Sequence, residues 1–321
     1  MPPGSSDGED ATLTPAERDL LATIRSAGDL GDLASRFEAD SEHDAYFAAK
    51  PRWYDLREKE LAAAPTREGL PGDCVTVDGT SICVHGITHA DTRAEGEYLR
   101  EHVSHLLDGG ATVYCEQGIR RMYFDDAPGV YEMDDYRWAM NRCRDIDVDV
   151  DTRADGFAAS EFEGLLEDVD SFTEEFRETT FSLIESGSDI YGERFGAALG
   201  DVASTFLTTR EDLATGEDFE SFRKTQRAAK EPERLVDLQR YYAKRFLPQP
   251  LEREWLRRHD PQLELLTHAR NERMADYAVY HAENAEPVHL IVGAAHQPGI
   301  TYYLGRHRDG ERDLDGFELC G

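Results

Sequence analysis

Two copies of the pattern Gly-x-x-His are the groups in this sequence most suited to chemistry. The first is Gly86-Ile87-Thr88-His89 and the second is Gly293-Ala294-Ala295-His296. In each copy an apolar run leads to the glycine and a turn follows the histidine. A histidine in such a place can bind a metal ion or transfer a proton near neutral pH, and glycine lets the backbone approach a ligand. The pattern leaves open a structural alternative, in which each histidine only hydrogen-bonds a loop.

Four further polar residues could complete such a site. Glu116 ends the apolar segment Tyr114-Cys115 and could ligate a metal, activate water or simply solvate a loop. Arg121 could hold a substrate carboxylate or pair with a nearby acidic side chain. Arg270 and Asn271 lie on a helix whose apolar residues recur every three or four positions, with Arg270 on the apolar face. A guanidinium there needs a carboxylate partner or a polar cleft.

Weaker candidates flank the two motifs. Predicted substrate contacts are His85, Gly86, Gly293 and Gln297. The remaining histidines of the candidate helix and strand, namely His268, His281 and His289, are interpreted as structural.

The two histidines need a sheet to position them. The continuous apolar run 288–292 predicts a central strand covered on both faces, followed by a short helix with Pro298 in its first turn. Segments 74–77 and 80–84, joined by Asp78-Gly79, predict a β-hairpin. A capping box at Thr92-Arg93-Ala94-Glu95 starts a helix that leads to a strand at 111–115. Strand, helix and strand predict parallel pairing, so His89 and Glu116 should emerge at one edge, where open α/β sheets bind ligands.

The fold class predicted is α/β (α+β), with a central, mostly parallel mixed sheet flanked by helices. A large helical insertion should separate two βα-type halves of the core, because apolar residues of the middle region recur at helical spacing. The predicted organisation is a disordered N-terminus (1–12), an N-terminal helical region (13–70), a first half of the core (71–156), a helical insertion or lid (157–260) and a second half of the core (261–321), which ends in a strand at 317–319.

Composition restricts the possible partners and the location. The chain of 321 residues has 66 acidic and 35 basic side chains, a net charge of −31. This charge argues against nucleic acid and anionic membranes as partners. Dispersed carboxylates favour adaptation to a high-salt cytoplasm over a dedicated cation-binding surface. The five cysteines form no CxxC pair and predict neither a disulfide framework nor a zinc site. No signal peptide or membrane span is recognised, so we expect a cytoplasmic protein.

These residues together resemble the TraB/PrgY/GumN group, which includes the Tiki-type proteases. The resemblance covers about 74–125 and 262–304 and is carried by both Gly-x-x-His motifs, Glu116 with Arg121, and the segment Arg270-Asn271-Glu272-Arg273-Met274. It implies an erythromycin-esterase/ChaN-like core with a site between its halves. It further implies metal-binding or catalytic roles for His89, Glu116 and His296, with Arg121, Arg270 and Asn271 as supports. Members are described as inactivators of peptide signals or as regulators.

Two functions follow as hypotheses. The first is a divalent-metal-dependent hydrolase of a peptide or amide bond, in which His89, Glu116 and His296 hold Mn²⁺, Co²⁺ or Zn²⁺. The second is a non-catalytic regulatory protein that binds a small molecule or peptide in the same cleft. The sequence sets neither the substrate nor the oligomeric state.

Overall fold

The computed structural model describes residues 13–64, 69–90, 92–115, 176–188, 190–208, 212, 215–282 and 286–314. Several predictions fall outside these residues: the disordered N-terminus, Glu116, Arg121 and the final strand at 317–319. In the part of the chain that is described, no helix is both long enough and apolar enough to cross a bilayer.

The described elements are helices surrounding four strands. The strands are β1 (Asp73–Val77), β2 (Thr80–Ile87), β3 (Thr112–Cys115) and β4 (Val288–Gly293). The helices before β3 are α1 (Pro15–Arg25), α2 (Leu30–Phe37), α3 (Glu42–Ala62) and α4 (Arg93–Asp108). Those between β3 and β4 are α5 (176–188), α6 (Glu193–Leu207), α7 (Phe219–Lys230), α8 (Leu235–Arg245), α9 (Gln249–His259) and α10, which comprises Pro261–Glu264, a π-helical turn at Leu265–Ala269, and Arg270–Tyr280. The last helix, α11, spans Gln297–Arg308.

The four strands form one mixed sheet in the order β1-β2-β4-β3. β1 pairs antiparallel with β2, while β4 pairs parallel with both β2 and β3. The predicted fold class is therefore confirmed. β2 and β3 run in the same direction as predicted, but β4 lies between them, so they are not neighbours. The three parallel strands all end at the same edge of the sheet.

Helices cover both faces of the sheet, which explains why β4 is apolar at every position except His289. On one face, Leu290 packs with Met274 of α10 and Ile300 of α11. On the other face, Ile291 packs with Leu99 of α4 and with the start of α8. Because successive strand residues point to opposite faces, a strand between two helical layers needs apolar side chains at every position.

Helix α8 lies in the range predicted as an insertion or lid, and it is bonded directly to the sheet. The amide of Gln239 donates from Nε2 to the carbonyl oxygens of Gly86 (2.9 Å) and Pro71 (3.0 Å). This side chain is buried, so both bonds are made away from water. α8 is thus a layer of the core.

The hairpin forms as its turn sequence predicts, and it also brings two cysteines together. Asp78 and Gly79 both adopt positive φ (48° and 89°), the backbone required for a tight turn between twisted strands. Cys74 and Cys83 are direct cross-strand partners and form a disulfide. The prediction that the cysteine spacing gives no disulfide was wrong here, because the pairing depends on hairpin register rather than on linear spacing. Cys115 is buried.

The N-terminal helices form a separate core with α9 and with Leu247, which lies between α8 and α9. α1 begins at the predicted capping box, in which Thr14 and Glu17 bond each other's backbone N–H. Residues Leu21, Leu33 and Leu251 belong to this second cluster. The N-terminal helical region is consequently packed against helices more than 180 residues later in the chain.

Candidate functional site

A cleft of about 510 Å³ lies at the edge where the parallel strands end. Five of the predicted site residues line it: His89, Arg270, Asn271, Gly293 and His296. β2 leads to His89, and β4 leads through Gly293 to His296. α10 contributes the other two residues. The two Gly-x-x-His motifs therefore meet one cleft, although a sequence separation of about 200 residues lies between them.

His296 is oriented by the amide of Asn271. Its Nδ1 lies 2.7 Å from Asn271 Oδ1. An amide oxygen only accepts hydrogen bonds, so Nδ1 carries the proton and the lone pair of the neutral ring is on Nε2. An imidazole held in this tautomer can accept a proton or ligate a metal through Nε2.

Asn271 is itself fixed by close packing. The side chain is buried, and it fills the space above Gly299 in the first turn of α11. A Cβ at Gly299 would lie 2.1 Å from Asn271 Nδ2. Asn271 Nδ2 also makes a long contact, 3.4 Å, with Gln249 Oε1. Gly299 and Gln249 thus help to position His296, and sequence reasoning assigned neither of them a role.

His268 extends this network. Its Nδ1 lies 3.3 Å from the same Gln249 Oε1, so Nδ1 is the donor. Burial lowers the pKa of His268 to about 4, against the opposing effect of Glu252, and the ring is neutral near pH 7. His268 lies within the π-helical turn of α10, a type of distortion that is frequent at functional sites. It was predicted to be structural, yet it lines the cleft as well.

His89 lies on a turn held by a buried carboxylate. It is exposed and has a left-handed backbone with φ of 62°. The preceding Thr88 donates to Glu95 from its backbone N–H (2.9 Å) and its hydroxyl (2.6 Å). Glu95 is fully buried. The turn that presents His89 is therefore anchored to the first turn of α4.

This use of Glu95 corrects one detail of the sequence analysis. Thr92 caps α4 by accepting from the backbone N–H of Glu95 (3.3 Å), as the predicted motif requires. The Glu95 carboxylate, however, bonds Thr88. The Thr-x-x-Glu motif correctly located the helix start, but it also contained the residue that positions the His89 turn.

The cleft carries charges of both signs. Arg177 forms a buried ion pair with Asp212 and lies 3.4 Å from Glu217. Arg177 and Arg270 line the cleft together with the carboxylates Glu178, Glu217 and Asp218. A ligand could therefore find both hydrogen-bond donors and acceptors there.

Gly86 and Gln297 were predicted to bind substrate, but their contacts are within the fold. Gln297 is buried, accepting from the Gly86 backbone N–H (3.0 Å) and donating to Asp73 (3.0 Å). A Cβ at Gly86 would lie 2.6 Å from Gln297 Oε1 and 2.7 Å from Ala294 Cα. Gly86 thus permits the close approach of β2 to the turn after β4, and neither residue lines the cleft.

His85, the other predicted substrate contact outside the cleft lining, pairs with a second histidine. Its Nδ1 donates to the carbonyl of Pro71 (3.0 Å), so its Nε2 accepts from Nδ1 of His289 (2.8 Å). Burial lowers the pKa of His85 to about 4 and also lowers the pKa of His289. The pair is a neutral, stacked contact between β2 and β4.

The predicted metal site includes Glu116, a residue outside the part of the chain that the structure describes. Among the described residues, no group of three or more His, Cys, Asp and Glu side chains is arranged to hold a metal ion. His89 and His296 line one cleft, and Glu116 directly follows the last residue of β3 in sequence but lies outside the described residues. The His89–Glu116–His296 site accordingly stays a prediction.

Comparison with protein families, with characterised proteins and with solved structures finds no match for this chain. The resemblance to the TraB/PrgY/GumN group thus depends on the motifs alone. The structure supplies the class of fold, a mixed α/β sheet with a cleft at the carboxyl ends of its parallel strands.

Proposed function

We propose that the cleft hydrolyses a peptide or amide bond with the help of a divalent metal ion. The observation that supports this most strongly is the hydrogen bond from His296 Nδ1 to Asn271 Oδ1, made at the edge of the cleft. Metal-binding histidines almost always donate their other ring N–H to an oxygen acceptor, which fixes the ring. His296 has this arrangement.

Each residue of the candidate site has a separate role in the proposed reaction. His296, His89 and Glu116 would hold the ion, and Mn²⁺, Co²⁺ and Zn²⁺ all suit a set of two imidazoles and one carboxylate. When bound, the ion supplies Lewis acidity for attack of water on a carbonyl. Asn271 holds His296 in the tautomer that has its lone pair on Nε2. Arg270, with Arg121, stabilises negative charge that develops on the substrate.

The size of the cleft suits a small peptide or a similar molecule. Its volume of about 510 Å³ is within the range of ligand pockets, roughly 300–1,000 Å³. The high negative charge of the chain fits a protein that works in a high-salt cytoplasm. A disulfide is uncommon in a reducing cytoplasm. Thiol titration of freshly extracted protein, which shows whether Cys74 and Cys83 are oxidised or reduced, therefore tests the proposed cytoplasmic location.

Metal binding provides the direct test. Purified protein is dialysed against Mn²⁺, Co²⁺ or Zn²⁺ in high salt, and bound metal is measured for the wild type and for His89→Ala and His296→Ala. We expect stoichiometric metal in the wild type and loss of it in both variants. His105→Ala is the matched control, because His105 is exposed on α4 and does not line the cleft.

The role of Asn271 in positioning His296 can be tested separately. Removal of the oxygen in Asn271→Ala should weaken metal affinity by roughly 10–100-fold, the usual effect of losing such a partner. Hydrolysis of a panel of dipeptide amides is then measured in the same proteins. A wild type that binds none of the three metals, or equal metal content in all the variants, would contradict the proposal.

A second candidate is a non-catalytic protein that binds a peptide or small ligand in this cleft. The observation in its favour is the pair of guanidinium groups, Arg177 and Arg270, that line the cleft and need no metal to bind a carboxylate. Peptide binding without turnover, undiminished in His296→Ala and weakened in Arg270→Met, would support this candidate over the hydrolase.

A further inference from the structure

A second cleft of about 740 Å³ lies between α3 and α9. Its walls include the aromatic side chains of Tyr46, Phe47, Tyr54 and Trp255. It adjoins the first cleft, because Asp218, Leu263 and His268 line both. None of the predicted site residues that the structure describes lines it, so the function proposed above is argued from other parts of the chain.

The charges around this cleft favour a cationic ligand. Of the residues that the structure describes, six carboxylates line it, against two side chains of lysine or arginine, Lys50 and Arg245. The carboxylates are those of Asp55, Asp201, Asp218, Glu220, Glu252 and Asp260. Clefts lined by an excess of one sign concentrate ligands of the opposite sign. An anionic ligand is correspondingly disfavoured.

Two of the rings in the walls already attract ammonium groups of the protein. Lys50 Nζ lies 5.0 Å from the centre of the Tyr46 ring, and Lys244 Nζ lies 4.2 Å from the centre of the Tyr54 ring. Lys50 also donates to the buried carboxylate of Glu252 (2.9 Å). Ammonium groups of the protein thus already occupy these two rings, which shows that such walls bind organic cations. Phe47, which is 53% exposed, offers aromatic surface to a ligand.

Arg245 supplies a hydrogen-bond donor at the wall of the cleft. It lines the cleft, its side chain is 25% exposed, and its Nη2 lies 3.5 Å from Asp218. A guanidinium carries five N–H donors, so a ligand with a carbonyl oxygen would be stabilised beside the exposed part of this group.

We propose that the second cleft binds a small aromatic ligand that is positively charged and carries an amide or other carbonyl acceptor. The aromatic body packs between the ring-bearing walls, the positive charge lies toward the carboxylates, and the carbonyl accepts from Arg245. An aromatic amino acid amide with a free amino group has all three features. Binding at this site does not require the hydrolase reaction.

Three probes with the same aromatic group separate these features. Calorimetric titration of the full chain uses tryptophanamide, N-acetyl-tryptophanamide and N-acetyl-tryptophan, whose charges are positive, zero and negative. We expect affinity to fall in that order, by roughly tenfold from the first to the last at low salt. High salt should reduce this difference because it screens the charges. Absence of binding by all three probes, or affinity independent of charge, would overturn the proposal.

Matched variants locate the binding site. Phe47 and Phe195 are both 53% exposed, but Phe47 lines the second cleft and Phe195 lines neither cleft. We expect Phe47→Ala to weaken tryptophanamide binding at least several-fold, and Phe195→Ala to leave it unchanged. His296→Ala should also leave it unchanged. Equal effects of Phe47→Ala and Phe195→Ala, or loss of binding in His296→Ala, would show that the probe binds elsewhere.

Discussion

The packing of Gly299 against Asn271 allows the candidate site to be tested without knowledge of its substrate. In Gly299→Ala, the added Cβ would lie 2.1, 2.7 and 2.9 Å from Nδ2, Cγ and Cβ of Asn271. Three successive atoms of one buried side chain are therefore too close. A rotation of the amide alone cannot relieve this contact, so the whole Asn271 side chain must move away from His296.

Three contributions set the expected change in the free energy of unfolding: one stabilises the variant and two destabilise it. Alanine favours a helix over glycine by up to about 1 kcal/mol. Overpacking costs about 1–3 kcal/mol, and loss of the His296–Asn271 hydrogen bond costs about 1 kcal/mol. We expect the free energy of unfolding of Gly299→Ala to fall by about 1–3 kcal/mol. In Gly305→Ala, also on α11, the nearest atom is 4.0 Å away, so that variant should gain about 0.5–1 kcal/mol.

Urea denaturation in high salt measures both free energies, and nitrogen NMR reports the tautomer of His296. Gly299→Ala should lose stability and no longer hold the proton of His296 on Nδ1, whereas Gly305→Ala should keep the wild-type tautomer. In an Asn271→Ala background, Gly299→Ala should cost less, because Nδ2 and Cγ are gone. If Gly299→Ala is as stable as Gly305→Ala and keeps the tautomer, the proposed support of His296 is wrong.

Two further predictions concern other buried polar groups. Glu95→Ala removes the acceptor of both Thr88 hydrogen bonds. We expect the free energy of unfolding, measured by urea denaturation, to fall by about 2–3 kcal/mol, and proteolysis beside His89 to become faster. A variant as stable as the wild type would contradict this prediction. Burial lowers the pKa of His85 and His268 from 6.5 to about 4, so the stability that depends on their neutral forms is complete above pH 6.5 and decreases as pH falls toward 4. At about pH 5 each of the two histidines should lower the free energy of unfolding by about 2 kcal/mol. The decrease in stability between neutral pH and pH about 5 should therefore be smaller in His268→Gln than in the wild type.

The parts of the fold that were predicted correctly are set by short stretches of sequence. Asp78-Gly79 specifies a hairpin because both residues accept positive φ. Thr14 specifies a helix start because its side chain and that of Glu17 bond each other's backbone. The apolar run of β4 required two covering layers, which α10 and α11 supply on one face and α4 and α8 on the other. Each inference needed only neighbouring residues and a general rule of packing.

The contacts that the sequence did not reveal join distant residues. Gln249 approaches Asn271 from 22 positions away, and Gln239 bonds Gly86 from 153 positions away. No local pattern marks either glutamine. The disulfide between Cys74 and Cys83 was missed because a separation of nine residues indicates a cross-strand pair only after the register of the hairpin is known.

His268 also suggests that the two clefts communicate. It lines both of them, and it shares Gln249 Oε1 with Asn271, whose own oxygen holds His296. A ligand in the second cleft that displaced His268 would free Gln249 and change the support of His296. Coupling of this kind is reciprocal: tryptophanamide should change metal affinity by the same factor by which the metal changes tryptophanamide affinity. In Gln249→Leu the shared acceptor is absent, so neither ligand should change the affinity of the protein for the other. Each ligand should still bind on its own. Persistence of the coupling in that variant would place the connection elsewhere in the chain.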